Sequence, residues 1–356
     1  MPVKRLKDFY WRFERHISSA SLLGGFLFDI FTLKRVDLFL ENFWVVVHLL
    51  MAAAGIFLLN LYGEKSAKIH FWLIIAIQFA FGGLLSVFLV FYFRSGSLAV
   101  SWPFLLLLSL AFVGNEAFKH RYSRLGYQIS VLFLSIYSFF IFFIPVVTHQ
   151  IGDKIFLLSG AISLFTICFF IFLLAIFTRE KFKKGGRRMV AGIVIILVVV
   201  NTLYFTNLIP PIPLSLKEAN IFHTVTKNSD GNYIVQYEHQ PWYQFFRTYE
   251  VFHQVPGEPI YLYSAVFSPT TLDTTVIHQW QYYDEASKKW VNSGAIKLSI
   301  VGGRDGGYRT YSLRSNLADG FWRVNVLTET GQNVGRVSFK IESTTTEPTL
   351  ESKIAN

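Results

Sequence analysis

The stretch Met189–Pro213, MVAGIVIILVVVNTLYFTNLIPPIP, constrains this chain more than any other. Its first 21 residues, Met189 to Ile209, carry no charge. As a helix they measure about 30 Å, the thickness of a bilayer's hydrocarbon core. Pro210, Pro211 and Pro213 then stop the helix, because proline lacks an N–H and restricts the residue before it. The chain before this point reads as membrane, and the chain after it as a water-soluble β domain.

Composition supports the division. With 52% hydrophobic residues, 37 Phe and 16% charged residues over 356 positions, the chain is too apolar for one soluble domain. The net charge of +10 is unevenly placed: residues 1–209 hold 20 Lys and Arg against 9 Asp and Glu, and residues 210–356 hold 13 against 14. The basicity belongs to the membrane half, where short basic loops set topology, so no nucleic-acid partner is expected. The lone cysteine, Cys168, excludes an intrachain disulfide.

Residues 1–16 form the expected cytoplasmic N-terminal segment, amphipathic and helical. Leu6, Phe9, Tyr10, Phe13 and, just beyond it, Ile17 share one helical face, flanked by Lys4, Arg5, Lys7, Arg12 and Arg15. That pattern suits an anionic lipid surface, or simply a basic flank that orients the first span. The transmembrane domain, 17–209, holds apolar runs at 17–33, 43–62, 71–93, 98–114, 127–147, 155–177 and 189–209. The first is short and carries Asp29. The positive-inside rule decides whether it crosses. With six spans the Lys and Arg divide 9 to 11 between the two sides; with seven they divide 16 to 4. About seven spans are therefore expected, with the N-terminus in the cytoplasm and the C-terminal domain outside. The loop 178–188, TREKFKKGGRR, supplies six of those cytoplasmic charges as a stop signal between two spans, or as a contact for acidic lipid.

Beyond Pro213 the period changes to alternation. Segments 219–226, 232–238, 259–267, 274–283, 295–301, 307–313, 321–328 and 333–341 are rich in Val, Ile, Tyr, Phe and Thr, with Gly, Pro, Asn, Asp and Ser between them. Eight short strands imply an all-β, immunoglobulin-like antiparallel sandwich over 210–342. On the last hairpin Trp322, Val324 and Val326 share a face, while Arg323, Asn325, Arg336 and Lys340 point the other way. The polar tail, 343–356, is expected to be disordered. One stretch, 240–256, breaks the strand pattern: Trp242, Phe245, Phe246, Tyr249 and Phe252 recur at helical spacing.

Candidates for chemistry are few. Within the apolar runs, Asp29, His48, Asn60, Gln78 and Asn201 are scattered and suit hydrogen bonds between packed helices. His223, His239, His253 and His278 lack metal-ligand spacing, no serine has a nucleophile-elbow context, and Gly302–Gly307 opens no helix that would cradle phosphate. No catalytic residue, metal or cofactor is implied, and no enzyme is expected. The candidate binding residues are Trp242, Tyr243 and Phe246, with His278, Trp280 and Arg309, a stacking platform for a sugar or peptide. The competing reading makes the His278–Trp280–Tyr282 face simple core.

Ile277-His278-Gln279-Trp280, Gly307-Tyr308-Arg309-Thr310-Tyr311-Ser312, Gly320-Phe321-Trp322-Arg323-Val324, Gly331-Gln332 and Arg336-Val337-Ser338-Phe339 occur in that order. Residues 258–342 thereby resemble the bacterial family catalogued as domain of unknown function 2914. Gly24–Asp29 is similar to an N-terminal segment of several members, while Tyr261–Val266 departs from the family's pattern. The resemblance implies an extracytoplasmic β domain on an anchor in the bacterial cytoplasmic membrane and supplies no activity. Its motif positions are His278, Trp280, Arg309, Ser312, Trp322 and Arg323. The expected function is non-enzymatic: a membrane-embedded protein, in contact with lipid, presenting its β domain to a protein or glycan of the cell envelope. The alternative is a seven-span transporter or channel whose outer domain receives substrate or gates.

Overall fold

The computed structural model describes residues 23–33, 36–63, 66–95, 98–117, 124–211, 213–239, 249–268, 274–300 and 307–355. The expected amphipathic segment at 1–16 lies outside them, as do Trp242, Tyr243 and Phe246. The main division of the chain falls between Leu208 and Ile209, separating a helical unit from a β unit.

The helical unit contains α1 (Leu23–Thr32), α2 (Phe39–Tyr62), α3 (Ala67–Ser95), α4 (Leu98–Ala117), α5 (Leu125–Thr148), α6 (Asp153–Phe177) and α7 (Arg179–Phe205). Five of them, α2, α3, α5, α6 and α7, are long and apolar enough to cross a membrane; α1 and α4 offer shorter apolar stretches. Helix α5 is the most enclosed and packs on α2, α6 and α7. Its Ile129, Phe133, Tyr137 and Phe142 are fully buried. By contrast α6 and α7 turn Phe165, Phe169, Phe172, Val194 and Val198 outward. An apolar surface of that extent suits lipid and not water. Small residues allow close approach: a Cβ on Gly160 would meet the Tyr137 hydroxyl at 3.0 Å, and one on Gly192 would strike Ser130.

Asp29, Asn60, Gln78 and Asn201 do join helices, Gln78 through the Asn115 carbonyl, whereas His48 bonds the Trp44 carbonyl within α2. Asn60 Nδ2 donates to Gln128 Oε1 (2.8 Å), Asn201 Nδ2 to Tyr137 OH (3.1 Å) and Tyr204 OH to Asp153 Oδ1 (3.0 Å). Asp29 accepts a hydrogen bond from Ser86 of α3. One expectation is corrected: the basic run after Thr178 is no loop, because α7 already begins at Arg179. Arg, Lys and Glu are good helix formers, so the helix starts before its apolar part. It ends at Phe205, and Asn207 takes a left-handed conformation (φ 58°) ahead of the prolines.

The β unit holds β1 (Ser215–Phe222), β2 (Thr224–Lys227), β3 (Tyr233–Glu238), β4 (Glu250–Gln254), β5 (Ile260–Phe267), β6 (Thr274–Asp284), β7 (Lys289–Ile300), β8 (Tyr308–Arg314), β9 (Gly320–Thr328), β10 (Asn333–Ser343) and β11 (Leu350–Ala355). They form three sheets, ordered β1-β5-β8, β4-β10-β9-β6-β7 and β11-β3-β2. All pairings are antiparallel except β4 with β10.

The middle layer is β1-β5-β8. On one side Ser264 of β5 and Ser312 of β8 bond His278 of β6, joining this layer to the five-stranded sheet. On the other side Phe222, Tyr263 and Ala265 pack with Val225, Val235 and Ala355 of the β2-β3-β11 sheet. Three layers thus replace the expected two-sheet sandwich. Strand β5 explains why: it reads IYLYSAVF, apolar without alternation, and is buried on both faces. Such a strand requires a cover on each side.

Two further expectations change. Residues 350–355 of the supposedly disordered tail are β11, in register with β3 from Leu350↔Glu238 to Ala355↔Tyr233. As an edge strand carrying Glu351 and Lys353, β11 has the polar composition that guards an edge, which is why composition alone suggests disorder. The helical spacing of 240–256 also fails over its described end, since Glu250–Gln254 is a strand that pairs with Phe339–Ser343 and buries Phe252. Ladder contacts there outweigh a pattern built on few residues.

Deleting β11 uncovers Val235 and removes the cover given by Ala355. At about 0.5–1.5 kcal/mol net per backbone hydrogen bond, the loss is expected to destabilise the β unit by about 3 kcal/mol. Thermal unfolding of the purified protein, with and without residues 350–355, measures it; an unchanged midpoint would contradict the pairing.

Candidate functional site

His278 and Trp280 are fully buried, so they offer no surface platform. The two His278 nitrogens sit 2.9 Å and 2.8 Å from the hydroxyls of Ser264 and Ser312, and Trp280 Nε1 donates to Ser312 Oγ at 3.2 Å. A neutral imidazole fits here, one nitrogen donating and the other accepting. Burial pushes its pKa down to about 4. The His-x-Trp motif and Ser312 are therefore a polar rivet between two sheets. Arg309 lies elsewhere: it pairs with Ala265, whose side chain faces the β2-β3-β11 layer, and its Nη1 donates to Asn232 Oδ1 at 3.3 Å. The described platform candidates are thus separated by the middle layer.

The open face of the five-stranded sheet builds a different site. Alternation along β6, β9 and β10 places Gln279, Gln281, Arg323, Asn325 and Arg336 on the face opposite Trp280, Val324 and Phe339. Arg323 Nε donates to Gln281 Oε1 (2.7 Å), and Arg336 Nε donates to Asn325 Oδ1 (2.6 Å). Asn325 Nδ2 donates to Gln279 and Gln281 (3.2 and 3.1 Å). The Arg323 guanidinium lies 4.3 Å from the centre of the Trp290 ring. Burial, and then the charge of Arg336, lowers the pKa of Arg323 to about 10; burial lowers that of Arg336. Both stay charged at neutral pH. No described carboxylate makes an ion pair with either, and the neighbouring Lys340 is engaged with Glu342 (2.7 Å). The sequence shows the outward face of Arg323, Asn325 and Arg336, but neither the place of Gln279 and Gln281 beside them nor that the two charges stand together uncompensated.

A second cluster closes a small cleft of about 50 Å³, bordered by His223, Glu238, Glu250, Phe252 and Lys353. Glu238 accepts from the side chains of His223 and His253 and from the His253 backbone N–H. Burial raises its pKa, but those bonds and the His253 charge prevail and hold it below the usual carboxylate value. Glu250 is pushed up, mainly by burial. Two carboxyls displaced in opposite directions suit acid–base work. The cleft, however, has room for a few waters and not for an organic substrate. Among the described residues no group of three His, Cys, Asp or Glu is placed to hold a metal.

Fold and site together define a class: a helical unit with membrane-length segments, joined to a three-layered β domain. Residues 273–341, running from the start of β6 into β10, match the family described as "Protein of unknown function (DUF2914)". That region contains the His278–Trp280–Ser312 rivet and the whole arginine face. No curated protein matches the chain. Among solved structures, the Pseudomonas fluorescens alkylpurine DNA glycosylase AlkC bound to DNA containing an abasic site analog covers 87% of this chain and 100% of its own. At 10% identity and a TM-score of 0.21, that likeness carries no argument.

Two pH effects are expected. The pKa of His278 is depressed in the folded state, so the unfolded state binds more protons between about pH 6.5 and 4. Stability should fall by about 3 kcal/mol as pH drops through that window, and H278Q should flatten this slope whatever its absolute stability. For Glu250 the folded pKa is raised, so its ionised form opposes folding above the carboxylate range. E250Q should raise the unfolding midpoint at pH 7 and leave it unchanged at pH 4; equal midpoints at both would remove the effect.

Proposed function

We propose that this chain is a non-catalytic, multi-pass protein of the bacterial cytoplasmic membrane whose β domain binds a protein or other component of the cell envelope. In this reading the chain crosses seven times, with its N-terminus in the cytoplasm and the β domain outside. The 16-to-4 division of Lys and Arg supports that topology. The observation that carries the binding role is the arginine face. It is a half-buried set of guanidinium, carboxamide and indole groups on a rigid sheet, with both charges lacking an acidic partner among the described residues. Partly desolvated charge of one sign is costly unless something complements it. Trp242, Tyr243 and Phe246 keep their place as candidate aromatic contacts for the same partner, and Arg309 as a separate polar one.

The experiment has two arms. After replacement of Cys168, single cysteines at positions 181 and 288 are exposed to an impermeant thiol reagent in intact cells; only the second is expected to react. A photocrosslinker at Ser338, between the two arginines, is expected to capture a specific envelope component, and one at Lys353 is not. Labelling at 181 alone overturns the topology, and equal capture at both crosslinking sites overturns the binding face.

A further inference from the structure

The arginine face also carries information about its ligand. Gln281 Oε1 accepts from both Arg323 and Asn325, Asn325 Oδ1 from Arg336, and Gln279 Oε1 from Asn325. The amide oxygens of Gln279, Gln281 and Asn325 are therefore engaged within the lattice. The Nη groups of Arg323 and Arg336 and the Nε2 groups of Gln279 and Gln281 make no hydrogen bond to any described residue. Acceptors on this face are few, namely the buried Asn333 Oδ1 beside Asn325 and the Ser338 hydroxyl, so the patch presents mainly donors and favours a ligand rich in acceptors. Each guanidinium is anchored through Nε, and Trp290 fixes the plane of Arg323, so the forks are held in place before anything binds.

Register sets the charge. Arg336 pairs with Asn325, while Arg323 lies two residues along the same strand and face. The two cations are diagonal neighbours, a repulsive arrangement on a sheet. A carboxylate would neutralise one of them. A phosphate monoester, with a charge of about −2 and three acceptor oxygens, answers both. Common membrane phospholipids are diesters with a single phosphate charge, a poorer match.

We propose that Arg323 and Arg336 form a binding site for a dianionic phosphoryl group carried by an envelope molecule, with Gln279, Gln281 and Trp290 as its rim. This rests on the reading of the same face as a binding surface.

The test uses the purified full-length protein in non-ionic detergent, with inorganic phosphate as the probe. Unfolding midpoints are measured against phosphate, against acetate, and against chloride at matched ionic strength. Phosphate is expected to raise the midpoint saturably and more than acetate, as a ligand of the folded state must. R323Q and R336Q should each weaken the apparent phosphate affinity at least about tenfold. K340Q should bind like the parent. Removing one of two like charges relieves repulsion, so the variants should fold; R336K, which keeps the charge and loses the fork, serves as a second probe and should show intermediate affinity. A phosphate response no greater than chloride, or one that persists in R323Q/R336Q, overturns the site. Nanodiscs of phosphatidylcholine with and without phosphatidic acid separate the sources: a phosphate response abolished by phosphatidic acid would assign the group to lipid and overturn the envelope-molecule source. Absence of any phosphate response alongside continued capture from Ser338 removes the phosphoryl ligand and leaves the binding module standing. The opposite pair of results removes the module and keeps the anion site.

Discussion

Burial of β5 on both faces is the constraint on which the β unit depends. A strand with one wet face needs one partner layer, whereas IYLYSAVF has no wet face to give. The chain satisfies it with sheets of unequal character. The five-stranded sheet meets β5 through a polar contact, Ser264 to His278, backed by Trp280 and Phe339. The β2-β3-β11 sheet meets it through Tyr233, Val235 and Ala355, an almost entirely apolar contact. A buried hydrogen-bonded triad specifies how two layers register, because any shift leaves a polar atom without a partner in a dry interior. The apolar interface imposes no such penalty. Register is thus enforced on the side that carries the arginine face.

The helical unit follows a related rule, one suited to a lipid solvent. Where lipid surrounds the helices, apolar side chains gain little by leaving it, so association rests on close packing and on hydrogen bonds between helices. The glycines at 160 and 192 and the pairs Asn60–Gln128 and Asn201–Tyr137 fit that account. All four interactions include α5, which explains why it is the enclosed helix. Gly160 and Asn201 both meet Tyr137, so one α5 side chain organises contacts with α6 and α7 together.

Much of this is legible in the residues. Uninterrupted apolar runs locate α2 to α6 to within a few positions, while α7 starts ten residues ahead of its apolar run, and all eight expected strand segments contain strand. The misses have physical causes. Strand β4 is short and adjoins aromatic residues whose spacing imitates a helix. Strand β11 is a charged edge. The number of sheets is hidden in β5, whose lack of alternation is visible but has to be read as two-sided burial. At the candidate site, alternation shows that Arg323, Asn325 and Arg336 share a face. It does not show which face of β6 is dry, because Val276, His278 and Trp280 on one side and Ile277, Gln279 and Tyr283 on the other are equally aromatic or polar by composition. Only the position of Ser264 and Ser312 decides that His278 is inside.

The pairing of β11 with β3 has a consequence in time. Tyr237 and Glu351, joined by a hydrogen bond across these strands, stand 114 positions apart in the chain. Strand β3 emerges early in synthesis and β11 late, so the third layer stays incomplete while all the strands between them are made. Until then Val235 and Tyr263 lack part of their cover, and β3 keeps one edge open to any strand that reaches it first. Closing so long a loop is also slow, because its entropy is lost before the contacts that reward it form. The nascent β domain therefore passes through a period in which it is largely built yet still adhesive, and the polar residues of β11 are what end it.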